Sequence, residues 1–577
     1  MTAEMKNRLL IPLSCITTEG NKTGSWRFLR PRFENKTAPC AVKCPAGEDI
    51  PRIEMLITQG EFKEAWETIL TENPFPAVCG RVCFHPCEGF CNRGNYDEPI
   101  AIHTMERFLA DTAFRYDFHP SAKDVPKKDK RIAILGGGPA GLAAAWFLTR
   151  LGYPCDIYDA ADELGGVLRW GIPAHRLPKD ALRQDIRRLE EAGVGIFTNK
   201  QVDESFFLDK GDVHAAFIVA TGHGRGQQMG IPGEASALEG LDFLREIREE
   251  KPVSCGGTTA VIGGGNTAID VARSVIRLGG KAVIYYRRRR QDMPAFDEEI
   301  QMALEEGAEI VELRAPVEMK SDGNQTTLLL QGMVVSGEES HRARVVPDTT
   351  VIESVRVDRV IRAIGAGPAE PWMHAPQAGQ DVQRLSHCCM VLNKGNKPVL
   401  YTGDLTNEIK SVTHAIASGK QAAIALDVLF TVGEAAISQR LDNCRIGNGE
   451  AHSMEIYAGG IRKERSSHVV EFSEINTDYF TFTPRIKPPR LLLEERRSSF
   501  SEIVLKISAG IAIEEAGRCF NCGLCNGCDN CRIFCPDFAV IKDEEIRSIN
   551  YDYCKGCGIC IVECPRNAMS FEEEEGA

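Results

Sequence analysis

Positive charge is in the minority in this chain. There are 68 Lys and Arg against 81 Asp and Glu, for a net charge of -13 and a pI near 5.6. That balance argues against a nucleic-acid groove. No apolar run reaches the roughly 20 residues that a membrane-crossing helix needs. No secretory signal stands out: the one candidate, Leu9 to Cys15, is short and broken by Pro12. A proline three residues before Cys15 does not fit a lipoprotein cleavage box either, so a cytoplasmic location is expected. What the chain does have is cysteine, 22 in 577 residues. In that setting clustered cysteines mean metal or redox chemistry more often than disulfides. The length suggests three or four domains.

The stretch Arg131 to Asp159 is a complete strand, turn, helix and strand unit for a dinucleotide. Gly136 permits the tight turn, Gly138 lets the backbone approach a pyrophosphate, and Gly141 lets the helix pack on the strand. Pro139 and Ala140 open the helix, whose N-terminus supplies partial positive charge for phosphates. Asp159, eighteen positions after Gly141, is placed to accept hydrogen bonds from a ribose. Gly165, Gly166 and Gly171 would let backbone pass close to a flat ligand, although loop glycines also serve turns. Thr221 and Gly222 end a further strand that carries the chain past the first cofactor.

The pattern returns at Thr259. Gly263, Gly265 and Ala268 take the three fingerprint positions, with Asn266 and Thr267 opening the helix, so a second dinucleotide site is expected. Its second strand ends in Arg287, Arg288, Arg289 and Arg290 instead of an acid. Arginine accommodates a 2'-phosphate, which favours NADP(H) over NAD(H). The strand around Gly365 closes this insert. Gly403 and Asp404, followed by a helix near Val412 that carries Thr413, bring another helix N-terminus to the first cofactor. Asp404 has the alternative of being a helix cap.

Six cysteines near the start, Cys40, Cys44, Cys79, Cys83, Cys87 and Cys91, suit thiolate ligation of iron-sulfur clusters, with zinc as the rival. The last sixty residues are more specific. Cys525, Cys528, Cys531 and Cys535 follow the C-x2-C-x2-C-x3-C-P spacing, and Cys554, Cys557, Cys560 and Cys564 repeat it. In that arrangement the fourth cysteine crosses over. Cys525, Cys528, Cys531 and Cys564 should hold one [4Fe-4S] cluster, and Cys554, Cys557, Cys560 and Cys535 the other.

From Cys40 through Asp427, about two thirds of its length, the chain resembles the small subunit of NADPH-dependent glutamate synthase and its relatives. Among these are the large subunit of NADH-dependent ferredoxin:NADP oxidoreductase and the N-terminal half of dihydropyrimidine dehydrogenase. The residues that carry the resemblance are CGRVC at Cys79 to Cys83, GGGPAGL, LGGVLRWGIPAHRL, GGGNTAIDVAR, YRRRRQDMP and TGD. The C-terminal part resembles a bacterial two-cluster ferredoxin.

The resemblance implies FAD in the first site, NAD(P)H in the inserted one, and [4Fe-4S] clusters in the N-terminal domain. Relatives place a cysteine pair in an EEAxRCxxC context just before the position of Cys40. Here that pair is missing, and the same phrase appears downstream as EEAGRCFNC. Cys519 and Cys522 are therefore expected to join Cys40 and Cys91 around one cluster. Cys44, Cys83 and Cys87 would hold the other with Glu106, where relatives use a glutamate or glutamine oxygen. The total is three to four clusters.

The expected organisation is multidomain α/β. A helical iron-sulfur domain spans 1–125. A FAD-binding Rossmann-like domain, 126–250 and 365–435, encloses an NAD(P)H-binding one, 251–364. An extended linker over 436–515, ending in a helix near Phe500 to Ala516, leads to an α+β ferredoxin domain, 516–577. The expected function is electron exchange between NAD(P)H and a ferredoxin or the catalytic redox subunit of a larger complex. The alternatives are a true glutamate synthase small subunit, a bifurcating transhydrogenase subunit, and a non-catalytic electron wire. Hydride transfer to a flavin needs no acid-base residue, and no Ser-His-Asp constellation is evident beside the first site.

Overall fold

In the computed structural model the described residues are 20 and 22–574, apart from 122–124, 210–212, 324, 337–342, 378, 380, 395–396 and 544–545. The run from Leu9 to Cys15 and part of the lysine-rich link before Arg131 lie outside them. The chain divides into two compact units, one of 1–38, 465–481 and 520–577, the other of 39–464 and 482–519.

The larger unit is built on two parallel sheets. Strands rich in Ile, Val and Ala are buried on both faces, as central parallel strands require. Ile132–Leu135 lies between Cys155–Tyr158 and Ala216–Val219 in a seven-stranded sheet. Gly195–Phe197 extends it at one edge, and Lys397–Tyr401 continues it beyond Ala216–Val219 before two antiparallel strands. Thr258–Ile262 is the centre of a five-stranded parallel sheet, flanked by Lys281–Tyr286 and Arg359–Arg362.

Helices Gly240–Arg248, Asn266–Arg277 and Asp297–Glu306 belong to the core on one face of that second sheet. On the other face Met319, Leu328, Leu330 and Val357 of an inserted three-stranded antiparallel sheet pack against Ala260, Ile262, Val283 and Tyr285. The inserted domain therefore begins earlier than residue 251. Leu238–Glu239 pairs with Arg359–Arg362, and Phe243 and Leu244 lie in its core, because the apolar face of Gly240–Arg248 has nowhere else to be buried. Arg225–Gly226 pairs with Ala366–Gly367 where the chain enters and leaves.

Short helices Pro39–Lys43, Ile50–Gln59, Phe62–Glu72, Pro76–Val82 and Ile102–Arg115 form the cysteine-bearing part. Among the described residues they begin at Pro39, and the segment before it belongs to the smaller unit. Leu29–Phe33 pairs antiparallel with Met569–Glu573 in the smaller unit, where it covers an edge strand that would otherwise be open.

The stretch 436–515 is not one linker. Its first part stays with the larger unit, 465–481 belongs to the smaller, and 482–519 returns to the larger. The helix near its end is Ala509–Gly517, so Cys519 and Cys522 fall in different units. Among the described residues no helix is long and apolar enough to cross a membrane.

Candidate functional site

At the first fingerprint Gly136 has φ +107°, and a Cβ there would stand 2.5 Å from the Ala220 carbonyl oxygen. Nothing lies within 4 Å of a Cβ added at Gly138, so the start of helix Pro139–Arg150 faces open space. A Cβ at Gly141 would collide with the Gly136 carbonyl oxygen. Gly166, at φ +54°, passes over Gly138, and the Gly165 N–H donates to the Gly137 carbonyl at 2.8 Å. Asp159 is partly committed to the turn itself: Oδ2 accepts from the Gly137 N–H at 2.6 Å and Oδ1 from the Ala161 N–H at 2.8 Å.

Helix Val412–Thr431 is capped by the Ser411 side chain and packs along Pro139–Arg150. A Cβ on Gly403 would be 2.8 Å from that of Ala140. Gly138, Ala140, Gly166, Gly403 and Thr413 thus come from four segments to one end of the sheet. Burial pushes the Asp404 carboxyl upward, opposed by His223 and Lys410. The Thr221 hydroxyl is buried without a hydrogen-bond partner, and Gly222 turns at φ +63°. Gly171 packs against Val167 and Leu241, and Gly365 lies in the link, its carbonyl accepting from the Gln227 N–H.

The second fingerprint repeats the geometry. Gly263 has φ +144°, Gly265 opens onto free space, and Ala268 is fully buried where the helix meets the strand. Asn266 Oδ1 accepts from the Phe296 N–H at 3.0 Å, and Thr267 packs beside Gly240. Arg289 is held by Asp292 at 2.8 Å. Arg287 is exposed, and the Arg288 Nε is buried without a hydrogen-bond partner. Among the described residues neither Arg287 nor Arg288 makes an ion pair, so these two guanidinium groups are available for an anion.

The N-terminal donors are buried together. Burial pushes the Cys44 thiol up to about 12, with Glu48 adding to the shift. Burial also raises Cys83 and Cys87 well above the ordinary thiol range. Cys83 is raised further by Glu106 and Cys44, and Cys87 by Cys44, Cys83 and Cys40. The carboxyls of Glu48 and Glu106 are both raised by burial, and the Asn73 amide donates to each at 2.8 Å. Buried thiols and carboxyls massed in this way are a donor set that fits an iron-sulfur core, with soft sulfur predominating. Zinc, which takes four ligands, would leave some of these buried thiols without a metal. Cys79 faces Asn73 Oδ1 at 3.9 Å.

One cysteine joins this group to the first dinucleotide site. Cys83 Sγ is 3.9 Å from Thr413 Oγ1, in the first turn of Val412–Thr431. The next residue, Phe84, stacks with His414 and with Phe296. Asn73 and Phe84 were missed from sequence, since neither residue type signals such a position. His85, Glu88 and His103 also cluster. The Glu88 carboxylate is engaged by the His103 ring and backbone N–H and by Arg485.

In the smaller unit the eight ferredoxin cysteines line two small cavities. Cys525, Cys528, Cys531 and Cys564 line one, and Cys535, Cys554, Cys557 and Cys560 the other. The crossover read from spacing is present in space. The two halves match at an offset of 29 residues: Asp529 and Gly558 both adopt positive φ, as do Phe538 and Asn567. The Ala539 N–H donates to Cys535 Sγ and the Ala568 N–H to Cys564 Sγ, each at 3.3 Å. Such N–H to sulfur bonds are among the levers on cluster potential.

Residues 130–419, half of the chain, match the pyridine nucleotide-disulphide oxidoreductase family. The chain belongs to that family. Residues 32–118 match the dihydropyrimidine dehydrogenase domain II, 4Fe-4S cluster, and 547–570 a 4Fe-4S binding domain. The 4Fe-4S matches thus stand on both sides of the nucleotide-binding body in sequence.

It is 37% identical over 353 residues to NADPH-Fe(3+) oxidoreductase subunit beta of Geobacter sulfurreducens, covering 58% of this chain and 52% of that protein. It is 32% identical over 498 residues to NADP(+)-dependent formate dehydrogenase subunit beta of Moorella thermoacetica, covering 79% and 70%. It is 31% identical over 421 residues to the glutamate synthase [NADPH] small chain of Azospirillum brasilense, covering 67% and 84%. The match spans about half the length of the Geobacter relative.

Proposed function

We propose that the protein moves electrons between NADP(H) and a one-electron carrier, through FAD at the first dinucleotide site and [4Fe-4S] clusters beyond it. The observation that carries this reading is the 3.9 Å approach of Cys83 Sγ to Thr413 Oγ1, which sets a cluster donor against the helix that closes the first site. Gly138 and Gly166 leave room for the pyrophosphate, Gly136 and Gly141 shape the turn and the helix start beneath it, and the Val412–Thr431 N-terminus supplies a further positive end to the site. A flavin held there would supply the conversion between a two-electron hydride and single electrons.

Arg287 and Arg288 receive the 2'-phosphate and select NADP(H) over NAD(H). Cys44, Cys83, Cys87 and Glu106 hold the cluster nearest the first site. Cys40, Cys91, Cys519 and Cys522 hold another, a proposal that rests for Cys522 on sequence. Support for Cys519 is that the carbonyl just before it, that of Arg518, accepts from Arg93, two residues past Cys91.

The partner is a ferredoxin or a catalytic redox subunit; the names of the Geobacter and Moorella relatives as beta subunits support the second. The test is anaerobic reduction of a ferredoxin or viologen dye by NADPH. Activity confined to glutamate formation with a glutamine-dependent subunit would favour the glutamate synthase reading instead.

A further inference from the structure

Three parts of the larger unit meet at Phe84. Its ring stacks with that of His414 at a centroid distance of 5.8 Å and 19° between planes, and with that of Phe296 at 6.0 Å and 15°. His414 belongs to the first dinucleotide site: it is in the first turn of Val412–Thr431, and its Nδ1 is 2.7 Å from the capping Ser411 Oγ. Phe296 belongs to the second. Its N–H donates to Asn266 Oδ1 at 3.0 Å, and the preceding Ala295 N–H donates to the Gly264 carbonyl at 3.2 Å, within the glycine loop itself. Phe84 comes from neither, since it follows Cys83 in the iron-sulfur part. All three rings are only half-buried.

Hydride transfer requires two flat rings to come within about 3.5 Å of each other. One side of this stack is tied to the second fingerprint loop through Phe296, and the other to the helix that packs on the first site through His414, so the place where Phe84 and Phe296 face each other lies between elements of the two sites. We propose that Phe84 and Phe296 form an aromatic gate: they satisfy each other in the free protein, and the nicotinamide ring of NADP(H) displaces Phe296 to stack against Phe84. This rests on the assignment of the two nucleotide sites given above. Phe296 is a positioning residue in this account, because it sets how much of the binding free energy is used to open the gate. Its tie to the neighbouring fingerprint loop is through the backbone N–H, which a substitution of the ring keeps.

The test compares two ligands on the full-length protein carrying its flavin and clusters. NADP+ contains the nicotinamide, whereas 2',5'-ADP keeps the adenosine 2'-phosphate and one phosphate of the pyrophosphate and lacks the nicotinamide half. Replacing Phe296→Ala should tighten NADP+ by about two- to tenfold, the range that an aromatic pair is worth, and leave 2',5'-ADP unchanged. Phe296→Leu, which keeps the apolar volume and cannot stack, should shift the ratio of the two affinities in the same direction. A ratio that stays at the wild-type value, or falls, in both variants overturns the gate. Failure of the wild-type protein to bind either ligand would instead sink the assignment of the second nucleotide site.

Discussion

Cys83 Sγ and Thr413 Oγ1 lie 3.9 Å apart across 330 residues of sequence. The contact ties the proposed cluster donor to the N-terminus of the helix that packs on the first nucleotide site. Replacing Cys83→Ala should remove one cluster, about four irons, and leave the flavin in place. The flavin should still bleach with NADPH, while reduction of a ferredoxin or viologen dye falls steeply. Iron analysis together with the two activities checks this. Unchanged dye reduction after loss of those irons would place the cluster off the electron path, and equal loss of both activities would mean that the substitution disturbs the flavin site.

The Arg93 guanidinium donates to the Arg518 carbonyl at 2.9 Å, which brings the chain just before Cys519 beside the turn that follows Cys91. Four clusters give about sixteen irons per flavin in the parent, and a Cys519→Ala, Cys522→Ala variant should hold about twelve. About twelve irons in both proteins would mean that the pair holds no cluster.

Arg287 and Arg288 are expected to read the 2'-phosphate. A double alanine variant should raise the KM for NADPH by about ten- to a hundredfold, the loss of charge-assisted contacts, and leave that for NADH nearly unchanged. Steady-state dye reduction with each nucleotide measures it. A parallel rise for both would assign the two arginines to the fold.

Glu515 is fully buried. Oε1 accepts from the Ala101 N–H at 2.9 Å and from Arg518 Nη1 at 2.7 Å, and Oε2 accepts from the Ile486 N–H at 3.0 Å. Glu515→Ala leaves two N–H groups unpaired and removes one of the buried partners of Arg518. That should cost about 3–5 kcal/mol in denaturant unfolding. A loss under about 1 kcal/mol, the value of an exposed pair, would show that water replaces the carboxylate.

The local motifs were legible because each is set by short-range rules. Gly136, Gly141 and Gly263 sit where a Cβ collides, and the ferredoxin cysteines lie at a spacing that fixes their crossover. Long-range pairing was not legible. Nothing in Leu29–Phe33 names Met569–Glu573 as its partner, because an edge strand accepts any extended segment of suitable pattern. The start of the inserted domain was missed for a related reason: Gly240–Arg248 is an ordinary amphipathic helix, and its sequence does not say which sheet it will cover. Gly171 and Gly365 show how little a loop glycine alone specifies, since it can serve packing or a domain link as readily as a ligand.

The most direct test of the central claim is an anaerobic titration of the purified protein with NADPH, followed by flavin absorbance and by low-temperature EPR of the clusters. The account predicts that the flavin bleaches and that reduced-cluster signals appear in the same titration, with the signal assigned to the Cys83 cluster missing from Cys83→Ala. Flavin bleaching with every cluster left oxidised, or no bleaching at all, would contradict it.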